Sequence, residues 1–258
     1  MTTAEGTVRV AAQVTEPDSD QKGEPRVLVM GDIHGCYDAL TTLAENMPLR
    51  DEDLLITVGD YVDRGPDSRR VLDWLIARKA MGALFPILGN HEEMMVNSDT
   101  DPGMYRGWLT CGGRETLESY GLKPRRRTKI RENIPPDHWS FLTEHCEDFC
   151  ETETHFFVHA NALPDVELKQ QPGEVIRWAR FNRSRPHLSG KILVCGHTPQ
   201  RDGLPLNLGH AVCIDTGVYM PEGWLTCLEP ATGKIWQAKQ SGLFREGQLP
   251  EPREIDAA

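Results

Sequence analysis

The apolar positions of the chain fall into two kinds of run that alternate along it. Short unbroken stretches rich in β-branched residues, at 26–30, 54–58, 84–88, 154–158 and 191–195, read as buried strands. Between the early ones, apolar residues return at helical spacing. Leu40, Leu43 and Ala44 follow the first strand, and Val71, Leu72, Leu75 and Ile76 fall within 69–79 after the second. A short helix through Met95 is predicted after the third. The loops closing these three strands lie about 30 residues apart, the length of one βαβ unit, so the three strands are expected to run parallel. Further strands are predicted around 211–215, 224–229 and 234–237, and a short helix over 174–180.

The pattern changes from 99 to 150. Gly112-Gly113-Arg114 suggests a turn opening a short helix, and 136–145 suggests another with proline near its start. This part reads as a helical insertion lying over the sheet edge, and its basic run at 123–131 as a solvated face. Residues 1–25 are polar and turn-rich, as expected of a flexible tail, and 241–258 read as a loose carboxyl-terminal tail. One domain over 26–240 remains. Of the 258 residues, 39% are hydrophobic and 26% charged, an ordinary globular balance. A net charge of −11 argues against nucleic acid as a partner. No run approaches the ~20 apolar residues of a membrane span, and no signal peptide is visible at the start. The seven cysteines are scattered without CxxC spacing, which favours reduced thiols and a cytoplasmic location.

The polar residues at the strand ends change the picture. Five strands run into turns that carry a carboxylate, an amide or an imidazole. These are Gly31-Asp32-Ile33-His34-Gly35, the stretch from Gly59-Asp60 through Asp63-Arg64 to Ser68, Gly89-Asn90-His91-Glu92, His159-Ala160-Asn161, and Gly196-His197-Thr198-Pro199. Ligands of open α/β sheets bind at that end of the strands. A lone strand-end histidine is more often structural. Burying Asp32, His34, Asp60, Asn90, His159 and His197 together, however, costs several kcal/mol unless something compensates. Divalent ions would compensate, and oxygen and imidazole ligands without thiolate suit manganese, iron or zinc. Six ligands are too many for one closed site. Two ions about 3.5–4 Å apart, sharing one carboxylate and activating a water, fit better. Arg64 and Arg180 could grip phosphate oxygens in bidentate fashion, with Arg177 the rival of Arg180. His91 could protonate a leaving alkoxide, and Asp63 could orient that imidazole and raise its pKa. The set describes phosphoester hydrolysis. Simpler readings hold elsewhere: Trp108 and Trp178 as core or rim aromatics, His155, His187 and His210 as structural, Asp38 and Asp67 as helix-end carboxylates, and, taken alone, the end of the 59–68 stretch as an ordinary loop in which Asp67 or Ser68 caps the following helix.

From about Val27 to Leu228 these motifs resemble the calcineurin-like metallophosphoesterases, and within them the bacterial and phage form of the phosphoprotein phosphatase branch. The resemblance implies an α/β fold, a β-sandwich flanked by helices in four layers. It implies one ion on Asp32, His34 and Asp60 and a second on Asp60, Asn90, His159 and His197. It also implies His91 as general acid paired with Asp63, and phosphate contacts from Arg64, Asn90, His91 and Arg180. The expected activity is that of a serine/threonine protein phosphatase, extending to phosphotyrosine, on phosphorylated proteins or peptides. Manganese is the first expected metal, with iron, zinc or nickel as alternatives. A dinucleoside tetraphosphate hydrolase shares the scaffold, but such enzymes commonly carry alanine in place of Asp63 and aspartate in place of Glu92. The intact ligand set and His91 oppose a third reading, an inactive binding protein. Ala160-Asn161 replace glycines of the eukaryotic relatives, and their inhibitor-binding loop has no visible counterpart, so sensitivity to the toxins of those enzymes is not expected.

Overall fold

The computed structural model describes residues 25–124, 127–182 and 185–253; of the predicted tails at 1–25 and 241–258, residues 1–24 and 254–258 lie outside them. In chain order the first half comprises β1 (Val27–Met30), α1 (Tyr37–Asn46), β2 (Leu54–Thr57), α2 (Ser68–Ala80), β3 (Leu84–Pro86) and α3 (Asn90–Ser98). Four short helices follow, α4 (Pro102–Trp108), α5 (Arg114–Ser119), α6 (Ile130–Asn133) and α7 (Pro136–Ser140). The remainder is β4 (Phe149–Glu151), β5 (His155–Val158), α8 (Gly173–Trp178), β6 (Ile192–Cys195), β7 (Leu206–Asn207), β8 (Ala211–Cys213), β9 (Leu225–Glu229), β10 (Lys234–Ala238) and β11 (Phe244–Gln248).

The strands make two mixed sheets, one ordered β11-β10-β9-β1-β2-β3 and the other β4-β5-β6-β8-β7. As the loop spacing predicts, β1, β2 and β3 are parallel neighbours. So are β5, β6 and β8 in the second sheet. The continuous apolar runs have a direct cause: successive side chains of each strand enter different cores. Val29, Ile56, Phe157 and Val194 meet between the sheets. Leu28, Met30 and Leu55 face the other way, onto α1, α2 and the 102–145 helices. Phe156, Val158, Leu193 and Cys195 face outward with Ile176 of α8. Both faces of every ligand-bearing strand are therefore buried, and the four layers of the expected sandwich follow. No helix among the described residues is long and apolar enough to cross a membrane, and none of the seven cysteines forms a disulfide.

Two expectations are revised. The segment 241–258 is not wholly loose, because Phe244–Gln248 pairs along β10 as the edge strand β11. Its sequence hides this, since an edge strand can expose charge. Arg245 stacks on Trp224 at 4.0 Å and donates to Gln237 Oε1 at 2.8 Å, contacts that no apolar alternation announces. At the start of α2, neither Asp67 nor Ser68 caps the helix with its side chain. Asp67 makes no cap hydrogen bond, and Ser68 Oγ instead accepts the Asp63 N–H.

The loop after β2 is held from α3. Glu92, in the first turn of α3 and fully buried, accepts four backbone N–H groups, two on each oxygen. Oε2 takes Gly89 at 3.0 Å and Asp60 at 2.9 Å, and Oε1 takes Tyr61 at 2.8 Å and Val62 at 3.2 Å. Burial and the nearby charge of Asp60 push this carboxyl up to about 8, against the pull of those donors. Glu92→Gln turns an amide nitrogen toward two of the N–H groups. The variant is expected to lose about 2–4 kcal/mol of unfolding free energy in urea titration. An unchanged midpoint would show that the carboxylate does not hold the loop.

Candidate metal centre

The carboxyl ends of β1, β2, β3, β5 and β6 converge where the two sheets meet. Asp60 lies at the middle: its Oδ2 is 3.4 Å from His34 Nε2 and its Oδ1 3.4 Å from His159 Nε2. Asn90 Oδ1 is 2.9 Å from His159 Nε2 and 3.0 Å from His197 Nδ1. His34, Asp60 and His91 form one set able to hold an ion, and Asp60, His159 and His197 another. Asp32 sits at the rim of the first set. Its Oδ2 is 4.0 Å from His34 Nε2, and both its oxygens accept the His197 N–H, at 3.2 and 3.0 Å. Five residues here have left-handed backbones: His34 (φ 45°), Asp60 (53°), Asp63 (75°), Arg64 (70°) and His197 (64°). For non-glycine residues this is unfavourable and is characteristic of functional turns.

The protonation pattern tests whether cations fit. His34 and His159 each spend Nδ1 on a backbone carbonyl, Val62 at 2.9 Å and Val58 at 2.7 Å. His197 spends Nε2 on the Trp178 carbonyl at 3.1 Å. The opposite nitrogens therefore carry lone pairs. His159 Nε2, His197 Nδ1 and Asn90 Oδ1 then face one another within 3.2 Å as three acceptors with no proton among them. A cation relieves that arrangement, and the outer carbonyls are the partners that orient metal-bound imidazoles. On the other side the Arg64 guanidinium already brings positive charge to His34 Nε2 at 2.7 Å. The residues fit divalent ions.

Burial of the cluster accentuates its charges. Desolvation opposes ionisation of Asp60, yet the imidazoles of His159, His91, His34 and His197 hold its pKa below the ordinary value. Burial drives His34 and His159 down, and drives His197 to about 4. Burial thus favours the neutral form that a ligand needs, while the Asp60 carboxylate pulls each of the three the other way. Asp32 is pushed well up by burial, then by the charges of Asp215 and Asp60.

A family model, the calcineurin-like phosphoesterases, matches residues 25–210. The chain belongs to that family. Serine/threonine-protein phosphatase 1 of Salmonella typhimurium is 31% identical over 208 residues, covering 77% of this chain and 89% of its own. An asymmetrical bis(5'-nucleosyl)-tetraphosphatase of Anoxybacillus flavithermus is 27% identical over 236 residues, covering 78% and 88%. The solved structure of a cold-active protein-tyrosine phosphatase from a psychrophilic Shewanella species superposes with a TM-score of 0.61, covering 92% of this chain and 83% of that one at 18% identity. That likeness shows the shared fold. Membership in this phosphoesterase family implies divalent metal ions.

His91, at the start of α3, is joined to the cluster of this phosphoesterase through Arg64, whose Nη2 lies 3.1 Å from His91 Nε2. Its Nδ1 meets Asp63 Oδ2 at 2.7 Å. Asp63 in turn takes the Trp108 indole N–H at 3.0 and 2.8 Å and the Thr116 hydroxyl at 2.6 Å. Sequence reading left Trp108 as packing and did not single out Thr116. Only the Gly112-Gly113-Arg114 motif pointed to that part of the chain. Gly112 takes φ 116°, and a Cβ there would lie 2.5 Å from Arg64 N. Its carbonyl accepts the Arg64 N–H at 3.2 Å, so the glycine lets the 102–145 helices close on the loop. Of the two candidate arginines, Arg177 in the last turn of α8 is bound to Glu93 and Asp148. Arg180 is exposed, and the structure does not bring it into the hydrogen-bonded cluster.

Mn2+ added to chelator-treated protein at a hundredfold excess over Kd is expected to raise Tm by about 5–10 °C. His159→Ala is expected to shrink the rise. A Tm insensitive to the ion would show that these acceptors hold none.

Proposed function

We propose that the chain is a dinuclear-metal phosphomonoesterase acting on phosphoserine and phosphothreonine in proteins, with phosphotyrosine as a further substrate. The carrying observation is the Asp63–His91–Arg64 string beside the acceptor cluster. Asp32, His34 and Asp60 would hold one ion, and Asp60, Asn90, His159 and His197 the other. Bound there, two divalent ions, manganese first, supply Lewis-acid activation of the phosphoryl group and a hydroxide nucleophile.

The chain's own residues do the rest. Arg64 offers its guanidinium to phosphoryl oxygens, and Arg180 is the free second arginine at the rim, Arg177 being committed to carboxylates. Asn90 and His91 complete the phosphate contacts. Once Arg64 turns to the phosphoryl oxygens, His91 Nε2, which accepts from Arg64 Nη2 in the structure, is released to carry a proton and give it to the leaving oxygen, while Asp63 accepts Nδ1–H and stabilises the imidazolium. Burial lowers the His91 pKa, but the carboxylates of Asp60 and Asp63 outweigh it, and the net shift is upward.

The dinucleoside tetraphosphate reading stays in play because relatives carry that name and because a groove of about 410 Å³ opens beside Arg64. Pro66, Tyr219, Met220 and Lys239 line it, leaving room for a larger leaving group. Manganese-loaded protein assayed side by side on phosphoserine and phosphotyrosine peptides and on diadenosine tetraphosphate separates the two. Fast peptide dephosphorylation with little dinucleotide cleavage is expected; the reverse would replace the substrate while keeping the site.

His91→Asn is expected to lower kcat by about 10²–10⁴-fold with metal content nearly unchanged; equal activity would remove His91 from the role of acid. Because the acid works protonated, kcat should fall as pH rises through the elevated His91 pKa. Asp63→Asn removes a charge that raises that pKa, so the alkaline limb should move to lower pH. A limb that stays in place would dissociate it from this pair.

A further inference from the structure

The stretch leaving α8 touches both imidazole-bearing turns of the second sheet. The Ile176 carbonyl accepts the Ala160 N–H at 2.7 Å, one residue past His159. The Trp178 carbonyl accepts the His197 Nε2–H at 3.1 Å. Phe181 N–H donates to the Thr198 hydroxyl at 2.9 Å, one residue past His197. Trp178 is 40% exposed, so packing alone holds it weakly. Its anchor comes from α3: Glu93 Oε2 accepts the Trp178 indole N–H at 2.6 Å. The other oxygen, Oε1, takes Arg177 Nη2 at 3.2 Å, and Arg177 Nη1 reaches Asp148. With side-chain exposures of 27% for Glu93 and 14% for Arg177, the Arg177 end of this network is partly shielded from water, while the Trp178–Glu93 bond is exposed. Glu93 thus ties the end of α8 to the helix that carries Asn90 and His91.

We propose that Glu93 is a positioning residue for the second ion. Through the Trp178 indole and Arg177 it holds the Trp178 carbonyl against His197 Nε2. The His197 proton stays on that nitrogen, and the Nδ1 lone pair stays turned to Asn90 and His159. This rests on the reading of His197 as a ligand. Without the tether the carbonyl drifts, the ring loses its outer partner, and affinity for one ion falls while the other keeps its own set. Outer partners of metal-binding histidines are typically worth about 10–100-fold in affinity.

The test is Mn2+ titration calorimetry on the chelator-treated full chain, with ring ¹⁵N spectra of His197 identified by their loss in His197→Ala. His197→Ala should lose one of two ions. Glu93→Ala and Trp178→Phe should each weaken that same ion about 10–100-fold, leave the other as in wild type, and shift or abolish the His197 Nε2–H signal. Glu93→Gln, which retains an oxygen for the indole N–H, should recover most of the affinity. Trp178→Phe removes little more than the donor, so it carries the test if Glu93→Ala fails to fold. The proposal is overturned if Glu93→Ala and Trp178→Phe bind both ions as wild type does while His197→Ala loses one. Equal weakening of both ions would make Glu93 merely structural and would also overturn it. Two ions of full affinity in His197→Ala would overturn the ligand reading beneath it, and the proposal with it.

Discussion

The hydrogen bond from His159 Nδ1 to the Val58 carbonyl, 2.7 Å long, is the joint on which the site depends. It crosses from the end of β5 to the end of β2 and so ties one sheet to the other. It also decides which nitrogen of His159 faces inward. Its closeness places a demand on the next residue. Gly59 adopts φ 100°, and a Cβ there would lie 2.6 Å from Gly89 N and 2.9 Å from His159 Nδ1. Any side chain would push the three strand ends apart. Asp60 can stand between His34 and His159 only because the residue before it has none.

Left-handed backbone at five non-glycine positions costs of order 1–3 kcal/mol each, and it is held by contacts from outside each turn. Glu92 gathers the 60–62 amides from α3. Gly112 takes the Arg64 N–H from the 102–145 helices, and Ser68 and Thr116 share the Asp63 N–H. The 60–64 turn is thus clamped mostly by parts of the chain remote from it in sequence, Glu92, Gly112 and Thr116. The cluster is assembled at the cost of local preference, and tertiary contacts absorb that cost.

This division explains what could be read from the sequence. Strands buried on both faces write themselves as unbroken apolar runs, and the turns following them carry their chemistry within a few residues. Asp32, His34, Asp60, Asn90, His159 and His197 were therefore visible as one set. The partners of Asp63 were not: Trp108 and Thr116 come from 45 and 53 residues away, through helices whose local pattern says only that they pack. Ser68 looked like a helix cap because serine at that place usually is one, and its hydroxyl was taken by the Asp63 amide instead. Glu92 could be seen to differ from aspartate, but its four amide partners exist only once β2 and α3 lie side by side. The edge strand β11 was missed for the opposite reason, since most of it is open to solvent on both faces and no alternation marks it.

Of the six clustered residues, five are buried and His197 alone is partly open to solvent. The others hang from strands packed on both sides, whose opening would expose two cores at once. An ion held on the His159 side would therefore meet bulk water first at His197, and its exchange would depend more on the mobility of that imidazole than on the breathing of the sandwich. Tight retention and quick replacement would then be separable properties, the first written in the sheets and the second in one rim residue.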